Sequence, residues 1–456
     1  MHRTIFALST VPGKSAIAVI RISGADALKA LQALGVDADI APNRTYFHKL
    51  LDPVKRTILD EAIVVYFRAP HSFTGEDVVE LYTHGSIAVV NDILSSMSYL
   101  SYLDPATPGE FSKRAFFNNK LDLTKAEALS LLIDAETTIQ KDIALRQLQG
   151  DLYNLYHEWQ NRLTTILSRL EALIDFPEDD ISPTVIIATS EDIKVLRNEI
   201  NRHLQSTCRG DIILRGINAV IAGAPNVGKS TLLNNITLSD SAIVSDIPGT
   251  TRDIINVKVD LGGFAVVFSD TPGIRATDDT IEREGIRRAM LKLEQADIVL
   301  YMVDSLDDLW NILDILQDRV DINKTIVILN KSDVMNEKEL QRIEEWGASL
   351  IQSSNKFAYI VISAKTGAGI EDLLQMLSQR LRDVYPVSND PIITKIRYRK
   401  ALETCQECLN KFDEKKSLEL MAEDIRMASA AIGSIIGNYD IETVLDQIFS
   451  NFCIGK

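Results

Sequence analysis

The run INAVIAG passing directly into GAPNVGKS (Ile217–Ser230) constrains this chain more than any other stretch. Seven mostly apolar residues predict a buried strand, and Gly223 to Ser230 spell a complete G-x-x-x-x-G-K-[ST] at the start of a helical pattern. A loop of this kind turns its backbone N–H groups onto phosphate oxygens. Asn226, Val227, Gly228 and Thr231 fall in its contact set, Lys229 reaches the β- and γ-phosphates, and the Ser230 hydroxyl ligates Mg²⁺.

Three more motifs follow, each at the end of an apolar run: DTPG (Asp270, Thr271, Pro272, Gly273), NKSD (Asn330, Lys331, Asp333) and SAK (Ser363, Ala364, Lys365). Asp270 suits the metal, held through water. The last two motifs select the base. The Asp333 carboxylate accepts guanine N1–H and the 2-amino group, where adenine offers neither donor; Asn330 suits the purine edge and the Ala364 N–H suits guanine O6. A site built for such donors rejects analogues lacking them by roughly 10⁴–10⁵. The four motifs predict a GTPase.

Its catalytic device is less plain. Ras-like GTPases place a glutamine after D-x-x-G to orient the attacking water, and here that position is Ile274. A nearby carboxylate must serve instead, and IEREG supplies Glu282 and Glu284. In SDIPGTTRD, the residues Ser245, Asp246, Ile247, Pro248, Gly249, Thr250 and Thr251 form the expected switch loop, with Thr251 on Mg²⁺. That loop also resembles one that cradles a monovalent cation. Asn226 would offer a side-chain oxygen, and Ser245, Ile247 and Thr250 loop oxygens. K⁺ there would stabilise charge between the β- and γ-phosphates, the work an arginine finger does elsewhere.

Around this unit the pattern changes twice. Residues 1–120 mix short β-rich runs (IAVIRIS, EAIVVYF, DVVELYTH) with helical stretches and predict an α+β domain. From 121 to 215 the pattern is helical, with Leu152, Leu155, Trp159, Leu163, Ile166, Leu170 and Leu173 at 3–4 spacing. Thr124 to Glu127 reads as a capping box. Residues 216–381 alternate apolar strands with helices, predicting a largely parallel sheet, and 382–456 are helical again. The expected fold class is multidomain α/β plus α, with the α/β unit inserted into a helical domain built from both flanks.

The net charge of −16 lies wholly beyond residue 120, since residues 1–120 carry 12 Lys/Arg and 12 Asp/Glu. Such a chain is a poor nonspecific nucleic-acid binder, so any RNA contact needs a local patch or a partner's surface. The basic run KIRYRK (Lys395–Lys400) reads as a solvated helix face ahead of a tRNA contact. Cys405 and Cys408 read as two helical cysteines, not a zinc pair, and Cys208 and Cys453 add no disulfide framework. The start MHRTIFALST lacks a signal-peptide pattern and no stretch is long enough to span a bilayer, so no membrane role and a cytoplasmic location are expected.

Outside the generic nucleotide motifs stand RISG (Arg21–Gly24), FTGEDVVELYTHG (Phe73–Gly85), TPGEFSKRAFFNNKLDLTKAEA (Thr107–Ala128), GTTRD (Gly249–Asp253) and the closing CIGK (Cys453–Lys456). On these blocks the chain resembles the tRNA-modification GTPase family MnmE (TrmE) over essentially its whole length. The resemblance implies a homodimer formed through the amino-terminal domain, which binds tetrahydrofolate. It implies work with an FAD-containing partner, MnmG (GidA), in a heterotetramer or larger complex. The pair places an aminomethyl or carboxymethylaminomethyl group on the wobble uridine of tRNA. The one-carbon unit comes from 5,10-methylene-tetrahydrofolate, for which 5-formyl-tetrahydrofolate is an analogue.

The resemblance also implies that K⁺-dependent pairing of G domains activates GTP hydrolysis and that the catalytic glutamate maps onto Glu282. Folate contacts map onto Arg21, Glu80, Lys120 and Lys456. A carboxylate at Glu80 can meet a pterin's ring N–H and 2-amino group together, and Glu80, Tyr82 and His84 share one strand face. From strand pattern alone Glu80 reads as solvent-facing. The tail FCIGK is expected to line the folate pocket, with Cys453 a catalytic candidate. DTPG stands where DTAG is commoner, and Pro272 removes one backbone N–H from the γ-phosphate. The alternatives are a ribosome-assembly GTPase acting as an RNA-binding switch, and a folate-dependent aminomethyltransferase with a vestigial GTPase.

Overall fold

The structure is a computed structural model. It describes residues 3–37, 39–176, 183–206, 210–238, 256–270, 291–305, 307–308, 321, 324–352, 358–386, 390–438, 445, 448–450, 452 and 454–455. The chain divides into two compact units. One gathers Met1–Ile133, Ala144–Leu204 and Arg397–Lys456, the other Asp134–Ile143 and Gln205–Ile396.

In the first unit, six strands form one sheet: β1 (Thr4–Leu8), β2 (Ile17–Ser23), β3 (Thr45–Leu51), β4 (Ile58–Phe67), β5 (Val78–His84) and β6 (Leu103–Pro105). Their order is β3-β4-β5-β2-β1-β6, antiparallel except for the parallel β1–β6 pair. Alternation sends Ile20, Ile22, Val64 and Leu81 into a core with the helices Ala27–Ala33 and Ile87–Ser98. The opposite residues, Arg21, Glu80, Tyr82 and His84, line the other face. There Phe111 and Phe73 cover Ile5 and Ala7 of β1, while Phe47, Ile63 and Ile17 are 67%, 45% and 58% exposed.

The helical part of this unit is built around Asp151–Asp175, packed on Leu418–Ile436. Six of the seven expected stripe residues are buried; Leu155 is only partly so, and Tyr156 takes the inward position. The expected capping box is not formed. Asp122 caps the Leu123–Ile133 helix, its Oδ1 accepting the Lys125 N–H at 2.9 Å and the Thr124 hydroxyl at 2.6 Å.

Glu127 turns instead to the last segment of the chain. Its carboxylate accepts Arg397 Nε at 2.9 Å and Nη2 at 2.6 Å, and also the Tyr398 hydroxyl. Arg397 further donates to the Ser434 and Ile435 carbonyls, both at 3.2 Å, closing the end of the Leu418–Ile436 helix. Tyr398 is fully buried, so this part of KIRYRK is no solvated face. Glu127 is 4% exposed, and removing it strands a largely buried guanidinium. We expect Glu127→Ala to lower stability by about 3 kcal/mol, read as a fall in the urea midpoint of this unit.

The second unit holds β7 (Ile217–Gly223), β8 (Asn256–Leu261), β9 (Phe264–Asp270), β10 (Ile298–Val303), β11 (Thr325–Leu329) and β12 (Ala358–Val361). Their order is β12-β11-β10-β7-β9-β8, parallel apart from the β8–β9 hairpin. Ile221, Phe268, Leu300 and Ile328 pack with Leu232 and Leu377 of the flanking helices. Because β7, β10, β11 and β12 run the same way, the loops after them gather at one edge, where open α/β sheets bind ligands.

Candidate functional site

At that edge, β7 ends in a loop whose glycines are required by contact as well as by backbone angle. Gly223 has φ +145°, and a Cβ there would lie 2.3 Å from the Met302 carbonyl oxygen of β10. Gly228 has φ +103°, and a Cβ would lie 2.3 Å from Asn330 Nδ2. Asn226 also takes a left-handed conformation, φ +66°. Gly228 then precedes the helix Lys229–Thr237, whose first N–H groups and dipole favour an anion. Lys229 is buried, and its Nζ donates to the Gly223 and Ala224 carbonyls at 3.1 and 2.9 Å, so the cation is held within the loop. A loop cradle that a Cβ would fill, with a lysine at its centre, fits nucleotide phosphates.

The base-selecting motifs are bound to this loop. Asn330 Nδ2 donates to the Val227 carbonyl at 2.6 Å, and Oδ1 accepts the Ala364 N–H at 2.8 Å. A carbonyl only accepts and an N–H only donates, which settles the orientation of the amide. Asn330 thus ties the phosphate loop to the SAK loop, and the Ala364 N–H, expected to suit guanine O6, is donated to Asn330 Oδ1. The Ser363 hydroxyl donates to Asp333 Oδ1 at 2.7 Å. This hydrogen bond, ahead of the other influences, holds the Asp333 carboxyl below its ordinary pKa. Asp333 therefore remains an acceptor for donor-rich base edges throughout the neutral range. Lys331 pairs with Asp304, while Lys365 and Thr231 are exposed.

Ser245 to Thr251, Thr271 to Gly273 and Glu282 lie outside the described residues, and so does the Asp270 side chain, although its backbone ends β9. Ser230, the expected Mg²⁺ ligand, stands in the first turn of the Lys229–Thr237 helix. Among the described residues no cluster of three His, Cys, Asp or Glu forms a further metal site, and Cys405 and Cys408 are buried free cysteines.

A second constellation lies on the first unit's sheet. Arg21 and Glu80 are cross-strand partners of β2 and β5. Arg21 Nε and Nη2 approach Glu80 Oε1 at 2.9 and 2.8 Å, and the Tyr82 hydroxyl donates to Oε2 at 2.7 Å. The guanidinium also sits 5.3 Å from the Phe73 ring and 5.7 Å from the Phe111 ring. Glu80 is 9% exposed, so the solvent-facing position suggested by strand pattern is not what the fold provides. Burial, reinforced by Glu80, pushes the Tyr82 phenol up to about 12, and it stays a neutral donor. An ionised carboxylate has about four acceptor positions. Arg21 meets Oε1 with two nitrogens and Tyr82 takes one position on Oε2, so the position left for a ligand donor is on Oε2.

Lys120 lies beside the loop between β4 and β5 that carries Phe73: a Cβ at Gly75 would be 3.4 Å from its Cγ and Cε. Arg114 holds that loop from below, pairing with Glu76 at 3.1 Å and Glu110 at 2.8 Å. The end of the chain arrives close by. The Ser9 hydroxyl donates to the Gly455 carbonyl at 3.0 Å, and Phe452 packs with Phe449 and Leu445 against Leu123 and Ala126. Cys453 and Lys456 lie outside the described residues.

Two family descriptions match this chain: "GTP-binding protein TrmE N-terminus" over residues 4–120 and "MnmE helical domain" over residues 123–453. The chain belongs to the MnmE (TrmE) family. It is 42% identical to the tRNA modification GTPase MnmE of Anaplasma marginale over 454 residues, 99% of each chain. It is 41% identical to the protein of that name from Paramagnetospirillum magneticum over 456 residues, 100% of both. Among solved structures, the G domain of the T. maritima FeoB iron transporter matches 36% of this chain and 98% of its own, at 25% identity and a TM-score of 0.26. That last likeness is too slight to add to the assignment.

In this MnmE-family chain, three residues of the amino-terminal constellation carried no assigned role in the motif reading: Tyr82, Arg114 and Phe73. Arg114 meets Glu76 across 38 positions and Phe73 meets Arg21 from another strand's loop, which leaves no local spacing to read. Tyr82, by contrast, meets Glu80 two positions away on the same strand face.

Proposed function

We propose that the chain is a GTP hydrolase that acts in tRNA modification. The observation that carries this is identity at about 40% over the full chain to proteins named tRNA modification GTPase MnmE. The order of the phosphate and base motifs, and the Asn330 tie between them, support GTP as the nucleotide. A full-length match to this family sets aside the ribosome-assembly switch.

The finer reading is a K⁺-dependent enzyme that works with the FAD-containing MnmG (GidA) on the wobble uridine, using a folate-borne one-carbon unit. Arg21, Glu80, Lys120 and Lys456 hold the folate, and Cys453 takes part at the one-carbon site. Ser230 and Thr251 ligate Mg²⁺. Glu282 serves hydrolysis, while Asn226, Ser245, Ile247 and Thr250 hold K⁺. The exposed row of Phe47 and Ile63, partners across β3 and β4, supports homodimer formation through the amino-terminal sheet. No helix of the described residues is long and apolar enough to cross a membrane, and the cytoplasm is the compartment where tRNA is met.

GTP hydrolysis is expected to be clearly faster in KCl than in NaCl at equal ionic strength, and Asn226→Ala to erase the difference. Equal rates in the two salts for the unsubstituted protein would remove the cation from the reading. Titration with 5-formyl-tetrahydrofolate tests the folate arm separately.

A further inference from the structure

Two residues beyond Tyr82 on the same face of β5, His84 forms a dyad that the proposed folate contacts do not use. Its Nδ1 lies 2.8 Å from Asp60 Oδ1, and its backbone N–H donates to Asp60 Oδ2, also at 2.8 Å. Asp60 is 9% exposed and the His84 side chain 69%. An ionised carboxylate only accepts, so Nδ1 carries a proton, and in the neutral ring Nε2 is then the nitrogen with the lone pair. The backbone bond fixes the carboxylate, and the carboxylate fixes the ring. This is the base-and-orienter half of a catalytic triad, built on two rigid strands. Along β5 the rise of about 3.3 Å per residue puts His84 roughly 13 Å from Glu80, with Tyr82 between them.

We propose that His84, oriented by Asp60, is the proton-accepting residue of the amino-terminal site. The proposal rests on the one-carbon reading given above. Adding a carbon at uridine C5 forms a C–C bond with a ring π pair, and the C–N bond to the carrier breaks with its pair staying on nitrogen. The C5 hydrogen must then leave as a proton while its bonding pair restores the ring double bond. His84 Nε2 takes that proton, the Asp60 carboxylate stabilises the imidazolium, and the proton passes to solvent. No electron is gained or lost, so no further oxidant or reductant is needed for this step. Asp60 is a positioning residue, and His84 the group that meets the substrate.

The test uses the full chain with its FAD-containing partner and compares His84→Gln, His84→Ala and Asp60→Asn. Binding of 5-formyl-tetrahydrofolate and GTP hydrolysis should stay near the unsubstituted values, reporting an intact fold. Turnover in tRNA modification should fall at least ~10²-fold in His84→Gln, with KM for tRNA little changed, and Asp60→Asn should lower kcat likewise. Added imidazole should restore part of the turnover of His84→Ala. Unchanged modification by His84→Gln overturns the proposal. Loss of folate binding in proportion to turnover also overturns it, making His84 a ligand contact. If the unsubstituted protein binds no folate and modifies no tRNA, the one-carbon reading itself fails, which is a distinguishable result.

Discussion

Gly455→Ala is expected to abolish most tRNA modification, by at least ~10²-fold, while GTP hydrolysis in K⁺ continues near its normal rate. At φ +94° the residue lies in backbone space that side chains rarely enter, and a Cβ would stand 2.2 Å from the Leu8 carbonyl oxygen and 2.8 Å from Ser9 Cα. Both neighbours are backbone atoms at the end of β1, and neither can swing aside as a flexible side chain would. The tail must therefore lift, losing the bond from the Ser9 hydroxyl. Displacing a positioned group by about 1 Å is enough for a 10²-fold loss. The comparison requires two assays on the same preparation, wobble-uridine modification and GTP turnover. Full modification activity would show that the seat of the tail does not matter to the chemistry.

Glu282→Ala is expected to lower kcat for GTP hydrolysis by at least ~10²-fold, the lower end for a positioned acid–base group, with GTP affinity nearly unchanged. The reason is chemical: Ile274 occupies the position from which a glutamine would orient water, and an alkyl side chain neither donates nor accepts. In the proposed site affinity rests on the phosphate cradle, the lysine and the base motifs, none of which includes Glu282. Single-turnover hydrolysis in K⁺ and equilibrium binding of a GTP analogue separate the two quantities. Near-normal turnover would return attention to Glu284 in the same IEREG run.

Much of this molecule could be read from its order of residues. The phosphate loop is legible because its chemistry is local: glycines at fixed spacing, a lysine and a serine, between a strand and a helix. The parallel strands β7, β9, β10, β11 and β12 are legible because each is a continuous apolar run. β8 is not, since NVKVDL alternates and reads like surface. Helical segments on both flanks of the α/β unit were equally plain from 3–4 periodicity.

What stayed hidden depended on partners far apart in the chain. Thr124 and Glu127 satisfy the local capping pattern, yet Asp122 makes the cap, and Glu127 is drawn away by Arg397, 270 positions on. A buried guanidinium needs a carboxylate more than a helix end needs a second cap. Glu80 looked solvent-facing because alternation gives the face of a strand and not what covers it; Arg21 and Tyr82 meet its carboxylate, and the Phe73 and Phe111 rings flank the Arg21 guanidinium. Asn330 was legible as an expected base contact but not as a tie, and the fold joins its amide to Val227 and Ala364 while leaving one Nδ2 hydrogen for a base. The sequence alone determined which chemical groups are present and the local turns that hold them. The tertiary structure decided which of them meet, because burial leaves every polar group needing a partner and only the folded chain says which one is within reach.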